Sequence, residues 1–153
     1  MSRQRPAFGG PLLVFRATTS TPAKESMTAF PESHHDLLEE KTAILSTVGR
    51  SGIPQTTAIW FLYDEGELHA WLSDARQKMK NLLARPECSL FILDLENPAR
   101  YLVVRGRAEL TPDQDCVFGD KLGAKYGVDV RSMLSPDEVR YKVTFRPVSV
   151  AVR

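Results

Sequence analysis

The sequence predicts a mainly β domain, a six-stranded antiparallel barrel with flanking helices. Three observations carry that prediction. Short segments rich in β-branched and aromatic residues alternate apolar and polar side chains, as half-buried strands do. Turn-forming clusters such as Asp64-Glu65-Gly66 join them as hairpins. Helical segments do not follow every strand, which disfavours a doubly wound parallel sheet.

In chain order, residues 1–31 are rich in Pro, Ser, Thr and Ala and sustain no hydrophobic period. They read as a flexible N-terminal extension to a domain over 32–153, with Met27 as an alternative start. Residues 32–40 form a short helix, with Ser33 as cap and Leu37 and Leu38 facing the barrel. The first strand spans 42–49 and the second runs unbroken from Gln55 to Tyr63. The third covers Glu67 to Leu72. Ser73 or Asp74 then caps a helix through Arg85, whose apolar stripe is Met79, Leu82 and Leu83. Strands follow at 88–95 and 100–110, with Gly106 at a bulge or bend. Thr111 and Pro112 start another helix reaching about Lys125. Ser135 to Glu138 starts a helical turn, and a strand over 141–152 ends the barrel.

Composition bounds the function. The chain has 153 residues, 42% hydrophobic and 25% charged, which is ordinary for one globular domain. A net charge of +1 argues against a nucleic-acid partner. No apolar run approaches the ~18 residues of a membrane span, so no membrane partner is expected. Cys88 and Cys116 lie far apart in no metal-binding pattern, and the adjacent His34 and His35 read as a surface helix rather than a metal site. A cytoplasmic protein with reduced thiols and no metal is expected.

One stretch can carry chemistry. Ser73 to Lys78 follows a strand and opens a helix, where free N–H groups and the helix dipole receive anions. Ser73 offers a hydroxyl, Arg76 a bidentate guanidinium and Lys78 a point charge. On a straight helix Arg76 and Lys78 point about 200° apart, so both reach one phosphate only if Arg76 precedes the regular helix. A solvated basic helix start accounts for the same residues. On the preceding strand, small and polar side chains from Gln55 to Ala58 leave room for a flat ring. Ordinary strand propensity accounts for Thr56 and Thr57 as well, and Trp60 and Trp71 read first as core. His69 reads as structural. No catalytic acid, base or nucleophile can be assigned, so any reactive chemistry is borrowed from a cofactor.

The order Gly52-x-Pro54-Gln55, Trp60-Phe61, Gly66-x-Leu68, Arg76-x-Lys78, Asn81-Leu82 and Pro86 resembles the pyridoxamine 5′-phosphate oxidase-like family over about residues 35–152. It is most similar to the branch of flavin- and deazaflavin-dependent oxidoreductases. The resemblance implies an FMN-binding split β-barrel and a homodimer with cofactor sites at the interface. It implies hydride transfer between a small organic substrate and either the deazaflavin coenzyme F-420, the first choice, or FMN. Arg76 and Lys78 then match the family's phosphate contacts. Gln55, Thr56, Thr57 and Ala58 line the ring, and Trp71, Leu72 and Ser73 add contacts at the end of the third strand. A counterpart of the C-terminal segment that pyridoxamine 5′-phosphate oxidases use for their vitamin substrate is not evident, so vitamin B6 oxidation is not expected. A flavin-binding carrier or sensor without turnover is the alternative function.

Overall fold

In a computed structural model, residues 10, 12–16 and 29–153 are described. The strands are β1 (Leu13–Arg16), β2 (Ala43–Val48), β3 (Pro54–Ile59), β4 (Leu62–Asp64), β5 (Glu67–Ser73), β6 (Glu87–Leu93), β7 (Tyr101–Pro112) and β8 (Arg140–Val152). Among the described residues the other elements are two α-helices, α1 (Gln77–Ala84) and α2 (Val117–Tyr126), and two 3₁₀ segments, Glu32–Glu39 and Val130–Met133. All strand pairings are antiparallel, in the order β3-β2-β6-β7-β8-β5-β4. β1 pairs with the last residues of β8, on the edge that β5 occupies further back. The architecture is the expected antiparallel split barrel. Its interior is filled by Leu45, Phe61, Leu90, Ile92, Leu102 and Val143, all essentially inaccessible. Among the described residues, no helix is long and apolar enough to cross a membrane.

Among the described residues the sheet has eight strands where six were expected. One addition is β1, within the stretch read as an extension. Met27 lies outside the described residues. The other addition arises because the expected strand 55–63 breaks after Ile59. β3 pairs with β2 at one margin of the sheet, whereas β4 pairs with β5 at the other. The chain crosses between margins within two residues, Trp60 and Phe61, and this curls the sheet into a barrel. Hydrophobic alternation continues through the crossing, so periodicity does not reveal it. The backbone groups of Phe61 find side-chain partners instead. Its N–H donates to the Tyr126 hydroxyl at 2.9 Å, and its carbonyl accepts from Lys125 Nζ at 2.9 Å.

Two tight features appear where the sequence placed them. Glu65 (φ 51°) and Gly66 (φ 80°) form the β4–β5 turn, the left-handed pair that a two-residue hairpin needs. The β7–β8 register shifts between Arg105 and Gly106. Gly106 sits so close to β8 that a Cβ there would lie 2.0 Å from the Arg146 carbonyl oxygen.

Helix starts differ more. The helix expected to begin at Ser73 or Asp74 starts at Gln77, after an extended Arg76 and without a side-chain cap. Both candidate caps are engaged by the segment before β8. Asp74 accepts from the Val139 N–H at 3.0 Å, and the Ser73 hydroxyl donates to Glu138. Leu83 is 53% exposed rather than part of the buried stripe, and Asn81 is buried instead. Asn81 donates to Thr47 Oγ1 at 3.0 Å and accepts from Gln77 Nε2 at 2.9 Å. Thr111 and Pro112 do not open a helix, because they extend β7 opposite Lys142 and Tyr141. α2 starts later, and the Asp113 carboxylate accepts from the N–H groups of Phe118 (3.2 Å) and Gly119 (2.9 Å). Ser135 to Glu138 is a single turn, closed by the Glu138 N–H to the Ser135 carbonyl.

The first 3₁₀ segment buries Leu37 and Leu38 as expected, but Ser33 does not cap it. His34 is also buried there rather than on the surface, and its Nε2 donates to the Arg153 carbonyl at 3.0 Å.

His69 on β5 is buried as well, with Nδ1 3.0 Å from Thr144 Oγ1. Burial pushes its pKa down to about 4, and the nearby Lys142 charge adds to the shift. Between about 6.5 and about 4 the unfolded chain binds a proton that the folded chain refuses, so stability falls as pH drops through that window. The urea midpoint is expected to fall less over this range in His69→Gln than in the parent protein.

Candidate functional site

The buried end of β5, Trp71-Leu72-Ser73, delivers the chain to an extended turn and then to α1. Opposite lies the end of β3, and across the sheet Ser73 pairs with Arg140 at the start of β8. These elements enclose a cleft of about 170 Å³. Ala58, Ile59 and Trp60 form one wall and Trp71, Leu72 and Ser73 the other. Arg76, Lys78 and Arg140 supply charge, while Leu122 and Met133 supply apolar surface.

One end of the cleft is electropositive. Lys78 Nζ donates to Thr57 Oγ1 at 3.0 Å, which ties α1 to β3. Burial pushes the Lys78 ammonium below its usual range, and the Arg76 guanidinium adds like-charge repulsion. Among the described residues neither cation has a carboxylate partner. The N–H groups of Gln77 and Lys78, the first two of α1, have no acceptor in the described chain. Two uncompensated cations beside free helix amides are a donor set that suits a phosphate.

The other side of Ser73 is neutralised. Glu138 accepts from the Ser73 hydroxyl and pairs with Arg140 at 3.1 Å. The Ser73 hydrogen bond, helped by Arg140, holds the Glu138 carboxyl below its ordinary value. The Arg140 guanidinium lies 4.5 Å from the centre of the Trp71 ring, and Trp71 Nε1 donates to Asp113 at 3.0 Å.

Of the residues named from sequence, Ala58, Trp71, Leu72, Ser73, Arg76 and Lys78 line the cleft. Thr57 meets it through Lys78. Gln55 and Thr56 do not line it. Gln55 Oε1 accepts a long 3.4 Å bond from Asn81, and Thr56 Oγ1, on the same face of β3 as Ala58 but further back along the strand, lies 2.9 Å from Ser46 Oγ. The cleft also recruits Ile59, Trp60, Leu122, Met133 and Arg140, which sequence reasoning missed. Arg140 enters only through the β5–β8 register. Trp60, read first as core, is 39% exposed. Its place beside the crossing explains why, and Pro54 to Ile59 alone carries no signal of it.

Residues 30–150 match the family model of pyridoxamine 5′-phosphate oxidase. Among solved structures, an F-420 reductase is 34% identical with a TM-score of 0.68, over 79% of this chain and 98% of that one. A protein of unknown function from Agrobacterium tumefaciens is 21% identical with a TM-score of 0.67, over 88% of this chain and 61% of that one. The heme storage protein HutZ of Vibrio cholerae is 17% identical with a TM-score of 0.63, over 79% and 93%. The last two likenesses concern the fold alone. No curated protein matches the sequence. The family match spans both walls of the cleft and all the strands from β2 to β7, and the F-420 reductase is matched over nearly its whole length, so the chain belongs to the pyridoxamine 5′-phosphate oxidase family.

Proposed function

We propose that the protein is a homodimeric oxidoreductase that binds the deazaflavin coenzyme F-420, with FMN as the alternative, and transfers hydride between it and a small organic substrate. The observation that carries this reading is the uncompensated pair Arg76 and Lys78 beside the free amides of α1. The likeness to an F-420 reductase favours the deazaflavin. Arg76, Lys78 and the α1 amides hold the phosphate, Ala58 and Trp71 to Ser73 border the ring, and Thr57 fixes Lys78. Gln55 and Thr56 serve the ring shelf only through the backbone of β3 or beyond the cleft. When bound, the cofactor supplies the hydride chemistry. The residues of the chain position it and balance its charge. Side-by-side calorimetric titration with F-420 and FMN tests the reading. Saturable binding of F-420, tighter than FMN, is expected, and no saturable binding of either cofactor overturns it.

The homodimer reading rests on the outer face of the sheet. Ala58, Ile44, Phe91, Val103 and Ala151 stand directly opposite one another across β3, β2, β6, β7 and β8. The neighbouring row, Leu45, Leu90, Val104 and Val150, fills the barrel interior. These strands are therefore apolar on both faces, yet Ile44, Phe91 and Val103 are only half-buried within one chain. Ala58 belongs both to this row and to the cleft, so a second copy covering the row would abut the cofactor site. Phe91→Glu is expected to convert a dimer into a folded monomer, as read by light scattering coupled to size-exclusion chromatography.

A further inference from the structure

The apolar row on the outer face of the sheet does not stop at Ala151. β1 pairs with the end of β8, and its register sets Val14 directly opposite Ala151. The row therefore crosses six strands, from Ala58 on β3 to Val14 on β1. Leu12, Leu13 and Val14 are all exposed, Val14 at 50%. Among the described residues β8 is the one strand that β1 pairs with. A four-residue strand held along one edge, with its apolar side chains in water, is marginal until something covers it. β1 also lies outside residues 30–150, which match the family model, so it is an addition to the family's barrel.

The surface that fits β1 is a second copy of this chain. A two-fold axis lying in the interface sets one row against the other in one of two ways. Either like ends meet, or each end meets the opposite end. Meeting of like ends brings both clefts together at Ala58, with Arg76 and Lys78 of both copies and two bound phosphates side by side. Repulsion between like charges opposes that arrangement. Meeting of opposite ends keeps the clefts apart by about 24 Å, the width of the six strands from β3 to β1 at about 4.8 Å per spacing. That distance exceeds the ~8–10 Å over which charges interact in ordinary salt. Each cleft then faces the β1 end of the other copy. The charges at that end suit it. In the next row Thr56, Ser46, Ser89, Arg105, Ser149 and Arg16 stand opposite one another, and its charged members are the arginines on β7 and β1. Both have the sign that an anionic cofactor in the facing cleft requires.

We propose that β1 is a docking strand for a second copy of the chain, and that in the dimer it borders the partner's cofactor cleft, with Val14 at the contact. The inference rests on the homodimer and cofactor readings above and adds to that site an element supplied in trans.

The test starts from Val14→Asp. Val14 is half exposed, so an aspartate there stays solvated in the single chain, and the melting temperature is expected to hold. Sedimentation equilibrium is expected to show a dimer weakened about tenfold or more in Val14→Asp and unchanged within about threefold in Val14→Leu. A dimer unaffected by Val14→Asp but split by Phe91→Glu overturns the role of β1 and leaves the homodimer reading intact. A parent protein that is monomeric at every concentration overturns both.

A second measurement asks which cleft β1 borders. At protein concentrations where the dimer is complete, Val14→Asp is expected to weaken F-420 binding about fivefold in calorimetry, because it sets a carboxylate beside a bound anion. Heterodimers isolated on two affinity tags then join a Val14→Asp subunit to a subunit carrying Arg76→Ala with Lys78→Ala. The intact cleft of the first subunit meets an unaltered β1 only if β1 acts in trans. Recovery of the parent affinity to within about twofold, at one site per heterodimer, is expected. Affinity that stays at the Val14→Asp value overturns the trans arrangement. Binding of neither F-420 nor FMN by the parent overturns the cofactor reading and the cleft contact together, and the dimer constants then decide the role of β1 alone.

Discussion

Replacing Arg76 and Lys78 together by alanine is expected to weaken F-420 or FMN binding toward a hundredfold, and Lys78→Ala alone about tenfold or more. The size follows from the two charges' surroundings. A charge-assisted contact to phosphate is worth ~1.5–3 kcal/mol, and about 1.4 kcal/mol is a decade in affinity. Lys78 is half-buried and already pressed toward its neutral form by burial and by Arg76, so a bound anion relieves strain in the free protein as well as gaining contacts. Arg76 is exposed and contributes less through water. Neither side chain belongs to the core, so the melting temperature should hardly move. Calorimetry on the three proteins checks the ordering, and unchanged affinity in the double variant would remove the phosphate pocket. Low salt should widen the difference, since the lost term is electrostatic.

The second large effect is on stability. Gly106→Ala is expected to cost about 3 kcal/mol, seen as a lower urea midpoint and a melting temperature reduced by roughly 10 °C. The added methyl would meet the Arg146 carbonyl oxygen at 2.0 Å, its carbon at 2.9 Å and Pro147 Cα at 3.0 Å. All three are backbone atoms of β8, so no side-chain rotation relieves the clash. The register shift at Arg105 and Gly106 is where the two longest strands stay paired through a change of direction. Moving β8 away would loosen the strand that also carries β5 and β1. An unchanged midpoint would mean that β7 and β8 can separate there at no cost.

What was legible in the sequence was local and periodic. β2, β5 and the Glu65-Gly66 turn follow from alternation and from left-handed backbone preferences, and Gly106 announced its bulge. The misread features were decided by distant partners. Ser73 and Asp74 have the chemistry of helix caps, but Glu138 and Val139 claim them from 65 residues away. Thr111 and Pro112 have a helix-start pattern, yet the opposing Lys142 and Tyr141 extend the strand through them. The strand break at Trp60 and Phe61 has no local signature, because its backbone partners come from the end of α2. The cleft followed the same division. Arg76 and Lys78 were visible in their own segment, whereas Arg140, Leu122 and Met133 reach it only through the fold. Of the expected ring shelf, Ala58 lines the cleft and Thr57 meets it through Lys78. Gln55 faces Asn81 of α1, and Thr56, although it shares a face with Ala58, stands further back along β3 opposite Ser46, which leaves Ala58 and Trp60 at the cleft.

The bond between the Phe61 amide and the Tyr126 hydroxyl gives this amide an unusual place in native-state hydrogen exchange. Its neighbours in β3 and β4 are protected by the sheet ladder and exchange when strands separate. Phe61 is protected by a side chain at the end of α2, so it exchanges whenever that helix lifts, with the sheet still intact. A single backbone position therefore reports the docking of α2 independently of global unfolding. The same helix end carries the wall of Trp60, and the protection of one amide becomes a direct measure of how often that wall is in place.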